Sequence, residues 1–423
     1  MLDPKFIKEN IDKVSKAAKD KGMTFESQTF LSLFESRNTL IKDVEELRQK
    51  RKQGSNLVKG EKDASKRQAL IQDMKVILEK LNELEKKLSF VEKDFYELLV
   101  RVPSIPSKES PVGASDKDNV EFKKVGDIPK FDFEPHDHIT LSRKLKLVDF
   151  ERGTKVAGSR SYFLTGQGAR LERALHLLTI DLLYKKNYRE LSVPSLVKSE
   201  ALFSTGYLPI GADQAYYIEK DKLWLIGTSE VSLASFYQNE IIDEEDLPIK
   251  LFAASTCFRR EAGAHGKDTK GLYRVHEFKK VEQVIVCSPF EDISNKLHEE
   301  LFENAEELLA LLELPYRAVH VCTGDLGQGQ VKKYDIEVWM PSRHDYGETH
   351  SCSSFYDFQA RRLKLRMREA GTKQIKHCYT LNNTAIATPR ILIPFLENHQ
   401  TKEGTIRIPK ALQKYMGNEE YIK

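Results

Sequence analysis

One stretch between residues 258 and 278 carries side chains that suit the recognition of phosphates and bases. It reads FRREAGAHGKDTKGLYRVHEF, with a polar, glycine-containing middle between two apolar ends. The planar guanidinium groups of Arg259 and Arg274 can bind phosphate oxygens with two hydrogen bonds each. Glu261 can accept hydrogen bonds from an amine, and the ring of Phe278 offers a flat face to a base. These residue types predict a nucleotide site. The alternative is a surface hairpin in which the same carboxylate and cations pair with each other.

Two antiparallel strands would have to position this chemistry. Apolar, strand-like residues precede position 258 and follow position 278, so a hairpin would place Arg259 beside Arg274. The segment between them, AGAHGKDTKG (262–271), is then a loop able to close over a polyphosphate or a nucleic-acid end.

The surrounding elements predict an α+β fold. Strand-like and helix-like segments alternate irregularly after residue 119, without a regular β-α-β period. The strand-like segments are 188–194, 222–228, 281–287 and 333–340, and the helix-like segments are 169–186, 295–312 and 390–400. This order favours a mainly antiparallel sheet with flanking helices.

The N-terminal part predicts a long helical hairpin between Leu33 and Leu98. Its second half carries an apolar seam with alternating spacings of three and four residues, which is the a/d pattern of a coiled coil. The seam residues are Met74, Ile77, Leu81, Leu84, Leu88, Val91, Phe95 and Leu98. The glycine-containing segment QGSNLVKG (53–60) separates the halves, so we expect the turn there. The alternative for such a seam is an oligomerising coiled coil without a ligand.

A basic segment lies at the expected tip of this hairpin. Eight cations and two acids between positions 48 and 67 give it a net charge of +6 in a chain whose total is +3. The cations are Arg48, Lys50, Arg51, Lys52, Lys59, Lys62, Lys66 and Arg67. A local basic patch on a nearly neutral protein suggests docking of a polyanion. A solvated helix end is the alternative for a charge run alone.

Length and composition set the broad class. The chain has 423 residues, 31% of them charged and 40% hydrophobic, which predicts a globular protein of more than one domain. VPSIPSKESPVGASDKDN (102–119), rich in proline and serine, predicts a linker between an N-terminal domain (1–101) and a C-terminal domain (120–423).

Several function classes are excluded by the same inspection. No apolar run is long enough for a membrane span, and the N-terminus has no apolar signal region. The five cysteines are scattered without a C-x-x-C pair, which argues against disulfides and a thiolate zinc site. We therefore expect a cytoplasmic protein without zinc.

Ordered motifs along the whole chain resemble those of the seryl-tRNA synthetases, a family of class II aminoacyl-tRNA synthetases. TCFRREAGAHGKDTKGLYRVHEFKKVE (256–282) resembles motif 2 of that class. LYKKNYRELSVPSLV (183–197) resembles motif 1, IGTSEVSL (226–233) the T-x-E serine loop, and TLNNTAIATPRILIPFLENHQ (380–400) motif 3. VCTGDLG, YDIEVWMPS and SCSSFYDFQARR match in order, and the helical hairpin resembles the family's tRNA-binding arm.

The resemblance implies ATP-dependent activation of L-serine to seryl adenylate and transfer to the 3′ end of tRNA(Ser). It also implies a serine site made of Thr228, Ser229, Glu230, Glu282 and Thr384. The matched ATP site consists of Arg259, Arg260, Glu261, Val275, Phe278, Glu348, Thr349, His350, Ser351 and Arg390. Arg259, Arg390 and Glu348 take the catalytic positions, and Glu348 and Ser351 those that ligate Mg²⁺.

Within this match, Arg259 would contact the α-phosphate and Phe278 would stack on adenine. Glu261 and the backbone at Val275 would contact the adenine edge, while Arg390 would cover the second face and reach the γ-phosphate. The basic tip would bind the tRNA, including tRNA(Sec) where the organism has one, and motif 1 would form a homodimer.

The sequence departs from the family pattern at two places. Asn383, Ala385 and Pro389 stand where bacterial members often have glycine, and Arg260 replaces a small residue. Two other functions remain open at this stage. One is a ligase that charges a carrier other than tRNA, which would not need the basic arm. The other is a non-catalytic RNA-binding protein, which would not need the catalytic arginines and carboxylates.

Overall fold

The computed structural model describes residues 1–263, 270–372 and 374–423. The chain divides into two compact units, Met1–Ile105 and Pro106–Lys423. From Ser107 onward the segment predicted as a linker is hydrogen-bonded to the second unit. The Ser107 amide donates to the Val331 carbonyl at 2.7 Å, and Thr323 N donates to the Pro111 carbonyl at 2.8 Å.

Helices form the first unit and flank a large sheet in the second. In the first unit the helices are α1 (Pro4–Glu9), α2 (Ile11–Asp20), α3 (Ser27–Gly60) and α4 (Ala64–Leu99). In the second they are α5 (His138–Lys144), α6 (Phe150–Ala157), α7 (Gly166–Lys185), α8 (Ser199–Thr205), α9 (Glu230–Ser235), α10 (Glu291–Leu311), α11 (Phe358–Leu363), α12 (Leu392–Asn398) and α13 (Lys410–Gln413).

The strands all lie in the second unit. They are β1 (Val120–Val125), β2 (Val148–Asp149), β3 (Phe163–Leu164), β4 (Arg189–Glu190), β5 (Leu196–Lys198), β6 (Tyr216–Ile218), β7 (Leu223–Leu225), β8 (Ile241–Asp243), β9 (Ile249–Phe258), β10 (Glu277–Cys287), β11 (Tyr316–His320), β12 (Lys332–Met340), β13 (Asp345–Tyr356), β14 (Arg366–Arg368), β15 (Ile375–His377), β16 (Tyr379–Thr388), β17 (Ile406–Arg407) and β18 (Tyr421–Ile422).

The hairpin of α3 and α4 has the predicted seam. All eight predicted seam residues are buried or half-buried, while most residues between them are exposed. Ion pairs across the two helices, Arg37 with Glu92 at 3.1 Å and Arg48 with Glu85 at 2.7 Å, fix an antiparallel pairing. All eight cations of the basic segment are exposed.

The position predicted for the turn of this hairpin is wrong. Helix α3 continues through 53–60, and the turn occupies 61–63, where Asp63 caps α4 by accepting from Ser65 N at 2.9 Å. Gly54 lies within α3 and faces α4. A Cβ atom there would lie 2.3 Å from the Met74 sulfur. Gly54 therefore permits close helix packing where the sequence pattern suggested a break.

The large sheet confirms the predicted α+β class. Its strand order is β1-β11-β12-β13-β16-β10-β9-β4, and every neighbouring pair is antiparallel except β4 with β9. The strand predicted over 188–194 is shorter than expected. Only Arg189–Glu190 pairs with β9, and the proline at position 194 cannot donate to a ladder.

Helices α7 and α10 cover the sheet and complete the main core. Helix α7 buries Leu171, Leu175, Leu178 and Leu182 at spacings of four, three and four residues. Helix α10 buries a similar stripe that includes Leu301. This core holds β10, β13 and β16, the strands that carry the candidate site. Among the described residues, no helix is long and apolar enough to cross a membrane.

Candidate active site

A cleft opens at the strand ends that carry the predicted motif 2 and motif 3 residues. It consists of three cavities of about 570, 250 and 270 Å³, and Arg259 lines all of them. We call the largest the outer cavity. The second is the carboxylate end, named for Glu230 and Glu282, and the third is the arginine end, named for Arg390.

Arg259 lies between the two ends of the cleft. It directly follows β9, and its amide donates to the His276 carbonyl before β10 at 2.9 Å. Its Nε donates to the Gly227 carbonyl at 3.2 Å, and its guanidinium lies 5.2 Å from the centre of the Phe278 ring. The side chain is thus held by one backbone bond and one aromatic face. The rest of its guanidinium is available to an anion in the cleft.

Arg259 and Arg274, which were predicted to lie close together, both line the outer cavity, and Arg274 forms an ion pair of the kind that the surface-hairpin alternative describes. Glu261 Oε2 lies 3.3 Å from Arg274 Nη1, and both side chains line the outer cavity. Val275 and Phe278 line the arginine end together with Glu261. Most of the loop predicted over 262–271 lies outside the described residues.

Arg390 lines the arginine end and is fixed there by Glu348 and Tyr273. Its Nη1 donates to the Glu348 carbonyl at 3.2 Å and lies 3.4 Å from the Glu348 carboxylate. Its guanidinium stacks 4.5 Å from the centre of the Tyr273 ring, and the guanidinium of Arg343 lies 4.1 Å from the same ring centre. Helix α12 begins only at Leu392, so Arg390 lies in the turn between β16 and that helix.

The pKa of Glu348 is set by the cations around it. The surrounding protein disfavours the charge, but Arg390, Lys333 and Arg259 outweigh that effect and lower the pKa. Asp335, on the neighbouring strand β12, behaves in the opposite way. Burial and the Glu348 charge raise its pKa to about 7 although Lys333 lies 3.0 Å away.

A β-bulge brings Glu348 and Ser351 to the same cavity. Strand neighbours three residues apart normally face opposite sides of a sheet. The β12–β13 register shifts between Ile336 and Glu337, which leaves Thr349 as the extra residue. Thr349 donates to the Ile336 carbonyl at 3.3 Å. Glu348 and Ser351 therefore both line the arginine end.

The oxygens around this bulge fit a magnesium ion. Glu348 supplies a carboxylate, Ser351 a hydroxyl, and Asp335 is the register partner of Ser351. Asp335 Oδ1 is buried and has no hydrogen-bond partner in the described part of the chain. Mg²⁺ prefers hard oxygen ligands and is held by one or two carboxylates plus substrate phosphates. Within the described ranges no cluster of three His, Cys, Asp or Glu side chains forms a protein-only metal site.

Glu230, at the start of α9, is a buried carboxylate that lines the carboxylate end. It is 5% exposed, and each of its carboxylate oxygens accepts a hydrogen bond. Tyr207 donates to Oε2 at 3.1 Å and Gln359 donates to Oε1 at 2.7 Å. Burial raises its pKa to about 7, Glu282 adds to that shift, and Gln359, Lys280 and Tyr207 oppose it.

Glu282 and Thr384 face each other across the paired strands β10 and β16. They are register partners, and the Thr384 hydroxyl donates to Glu282 at 3.3 Å. Lys280 forms an ion pair with Glu282 and reaches the Thr384 hydroxyl at 3.4 Å. All three line the carboxylate end, which thus places the Lys280 ammonium and the Thr384 hydroxyl beside two carboxylates, those of Glu230 and Glu282.

Two predicted serine-site residues lie behind the cleft. Thr228 Oγ1 accepts from the Glu230 amide at 3.2 Å, and Ser229 Oγ donates to the Ala253 carbonyl at 3.5 Å. Both are fully buried and line none of the three cavities. They hold the turn that carries Glu230.

Two predicted ATP-site residues also lie away from the cleft. His350 Nε2 is 3.0 Å from the carbonyl of Ala385, the extra residue of a second bulge between β10 and β16. Burial lowers the pKa of His350 to about 4, so the ring is neutral at pH 7. Arg260 is exposed and stacks on Tyr216 at 5.5 Å.

Sequence reasoning assigned no role to Asp335, Lys280, Tyr207 or Gln359. A signal existed for Asp335 and Lys280, since each is a charged residue inside a segment that reads as a buried strand. No periodicity marks Tyr207 or Gln359, because tertiary packing alone brings them to Glu230.

Comparison with known proteins agrees with this geometry. The family model for the seryl-tRNA synthetase N-terminal domain matches residues 1–106, and that for the class II core domain of tRNA synthetases (G, H, P, S and T) matches 216–399. The serine–tRNA ligase of Deinococcus radiodurans is 43% identical over 422 residues, covering 100% of this chain and 99% of its own. That of Treponema denticola is 41% identical over 420 residues, covering 99% of both.

Solved structures give the same result. The seryl-tRNA synthetase from Pyrococcus horikoshii complexed with ATP is 36% identical with a TM-score of 0.92, over 100% of this chain and 99% of that one. The cytoplasmic serine–tRNA ligase from Naegleria fowleri in complex with AMP is 31% identical with a TM-score of 0.88, over the same shares. The chain therefore belongs to the seryl-tRNA synthetase family of class II aminoacyl-tRNA synthetases.

Proposed function

We propose that this chain activates L-serine with ATP to seryl adenylate and transfers the seryl group to the 3′ end of tRNA(Ser). The observation that carries the proposal is the position of Arg259 between a carboxylate-lined end and an arginine-lined end of one cleft. An ammonium substrate suits the first end and a polyphosphate the second.

The arginine end suits ATP. Arg259 and Arg390 offer positive charge to the phosphates, and Phe278 offers its ring to adenine. Glu261 and Val275 line the same cavity, so the Glu261 carboxylate and the Val275 backbone can offer hydrogen-bonding partners to the edge of the base. The related protein from Pyrococcus horikoshii was solved with ATP, which supports this assignment.

The carboxylate end suits serine. Glu230 can bind the substrate ammonium, and the Glu282–Thr384 pair can hydrogen-bond the substrate hydroxyl. Alanine lacks that hydroxyl and would leave buried polar groups unpaired, which is the strong form of selectivity. Threonine differs by one methyl group and must be rejected by the size of the cavity.

The activation step needs orientation and charge more than covalent help from the protein. A serine carboxylate oxygen attacks the α-phosphorus, and pyrophosphate leaves with the bonding electrons. Arg259, between the two ends, can stabilise the charge that develops on the α-phosphate. Mg²⁺, held by Glu348 and Ser351 with Asp335 beside them, would neutralise phosphate charge when bound.

The direct test is ATP–pyrophosphate exchange with each of the twenty amino acids, without tRNA. We expect exchange with serine alone. Exchange with a different amino acid would keep the fold and overturn the specificity. The absence of exchange from a folded protein with Mg²⁺ would support a non-catalytic role and would point to the glycine-poor motif 3 as its cause.

The basic tip of the first unit supports tRNA binding. Seven of its eight cations make no described ion pair, whereas Arg48 is paired with Glu85. Such a surface recognises RNA through its shape and backbone, which for tRNA(Ser) includes the long variable arm. We expect tRNA(Sec) to be charged too where the host makes it.

Replacement of Arg48, Lys50, Arg51 and Lys52 by alanine tests this role. Charging of tRNA(Ser) should weaken, and its dependence on salt should flatten, because each lost phosphate contact reduces the salt slope by about one. Exchange without tRNA should stay unchanged. An equal loss of both activities would show that the arm supports folding rather than docking.

Two further assignments belong to the same proposal. A homodimer through motif 1 is supported by Tyr184 and Leu196, two residues of that motif that are 52% and 44% exposed. Sedimentation of Leu196→Lys beside the unaltered chain tests it. A cytoplasmic location is supported by the five cysteines, all of which are free and buried.

A further inference from the structure

Glu230 is held by Tyr207, which lines the cleft, and by Gln359, which lies behind it. Its Oε1 accepts from Gln359 Nε2 at 2.7 Å, and its Oε2 accepts from Tyr207 at 3.1 Å. Gln359 lies at the start of α11, is 2% exposed and lines none of the three cavities. It can affect a substrate through Glu230 or through the Thr205 carbonyl, both of which belong to residues of the carboxylate end, but not by direct contact.

The surroundings of Gln359 fix the direction of its amide group. The Gln359 NH₂ also donates to the Thr205 carbonyl at 3.2 Å, and its Oε1 accepts from the Thr380 hydroxyl at 2.7 Å. A carbonyl oxygen is an acceptor only, so the NH₂ must face Thr205 and Glu230. The reversed amide would place its oxygen against the carboxylate. Thr380, which is fully buried on β16, therefore orients Gln359.

Helix α11 also positions the second donor to Glu230. Arg362, one turn further along this helix, donates to the Phe203 carbonyl at 2.7 Å and to the Leu208 carbonyl at 3.3 Å. These bonds hold the end of α8 and the turn that carries Tyr207. Both hydrogen bonds to Glu230 thus depend on one short helix packed behind the carboxylate end.

We propose that Gln359 is a positioning residue that fixes the Glu230 carboxylate in the orientation that receives the substrate ammonium, and that Thr380 sets the orientation of Gln359. The proposal rests on the proposed function, since it assumes that the carboxylate end binds serine. Gln359 would act on amino-acid binding while leaving nucleotide binding unchanged, because it touches no residue of the arginine end.

The charges around Glu230 predict a second measurable effect of Gln359, on the pH dependence of serine binding. Burial and, less strongly, Glu282 raise the pKa of Glu230, whereas the amide of Gln359, Lys280 on β10 and the hydroxyl of Tyr207 lower it. Arg259, which also lines the carboxylate end, is the other cation there. Loss of the Gln359 hydrogen bond should therefore raise the pKa of Glu230 further. The pH below which serine binding weakens should then move upward.

The test compares four variants in serine-dependent ATP–pyrophosphate exchange. Gln359→Leu should raise the KM for serine about tenfold, the value expected for a hydrogen bond to a charged group. Thr380→Val should raise the KM for serine about threefold. Thr380→Ser keeps the hydroxyl, so its KM for serine should equal that of the unaltered chain. Thr179→Val removes a hydroxyl that is equally buried in α7 and bonded to Leu175, so it controls for general loss of core packing.

The KM for MgATP decides between a positioning and a structural role. It should stay unchanged in all four variants, and only Gln359→Leu and Thr380→Val should shift the pH dependence of the serine KM upward. An unchanged serine KM in Gln359→Leu, or equal changes in both KM values, would overturn the inference. If Gln359→Leu does not fold, the difference between Thr380→Val and Thr380→Ser decides instead. Failure of the unaltered chain to use serine would overturn the proposed function itself.

Discussion

The pKa values of two carboxylates in one cleft are shifted in opposite directions by their surroundings. At the carboxylate end, burial raises the pKa of Glu230 to about 7, Glu282 adds to the rise, and Gln359, Lys280 and Tyr207 only partly oppose it. Glu348 at the arginine end faces Arg390, Lys333 and Arg259, and its pKa is lowered. At the first end Lys280 pairs with Glu282, and the described hydrogen bonds to the Glu230 carboxylate come from neutral groups, so an ammonium substrate would supply a counter-ion for Glu230. The second end already contains the cations that a polyphosphate needs.

The largest expected effect comes from removing a cation of the arginine end. Arg390→Ala should lower kcat for serine-dependent exchange by about 100-fold to 1,000-fold, as loss of one preorganised charge on the leaving pyrophosphate would. Arg343→Ala is the matched control, since Arg343 stacks on the same Tyr273 ring but lines none of the three cavities. A loss of similar size in both variants would mean that Arg390 acts through Tyr273 packing instead of through the nucleotide.

Replacing each carboxylate by its amide should show that the two ends of the cleft bind different substrates. Glu230→Gln should raise the KM for serine about tenfold or more while the KM for MgATP changes little, because a buried charged hydrogen bond is lost only at one substrate. Glu348→Gln should do the reverse. Steady-state exchange kinetics at varied serine and at varied MgATP would measure both. If each variant impaired both substrates equally, the division of the cleft into two ends would be wrong.

A smaller effect is expected from the hydroxyl of Tyr207. Tyr207→Phe removes one hydrogen bond to Glu230 and should raise the serine KM about threefold to tenfold. Because that bond lowers the pKa of Glu230, its loss should shift the pH dependence of serine binding upward. A pH profile of the serine KM measures the shift. A downward shift would contradict the assigned direction of the hydrogen bond.

The fold was predictable where apolar residues recur with the period of a single type of secondary structure. The eight-residue seam of α4 and the leucine stripe of α7 are examples, since burial on one face determines both. The turn of the long hairpin was misplaced because Gly54 breaks the sequence pattern and yet serves close packing against Met74. Composition alone does not tell a flexible glycine from a packed one.

The candidate site was predictable in its residue types but only partly in its geometry. The resemblance named Glu348 and Ser351 together, although a regular strand would place them on opposite faces. The bulge at Thr349 resolves this, and the bulge at Ala385 occupies one of the positions where relatives often have glycine. Neither irregularity follows from alternation along a strand. Gln359 was missed because its role exists only through contacts between α11, α8 and α9.

The most direct test of the two-ended cleft is the serine KM as a function of pH, measured at saturating MgATP. Below pH 7 Glu230 becomes protonated before serine binds, so the KM should rise about tenfold for each unit of decreasing pH and level off above pH 7. Glu230→Gln is the control, because every other titrating group, in the protein and in ATP, stays the same. We predict that its serine KM is high and independent of pH across this range. A wild-type KM that does not change between pH 6 and 8, or a variant that keeps the same slope, would contradict the account.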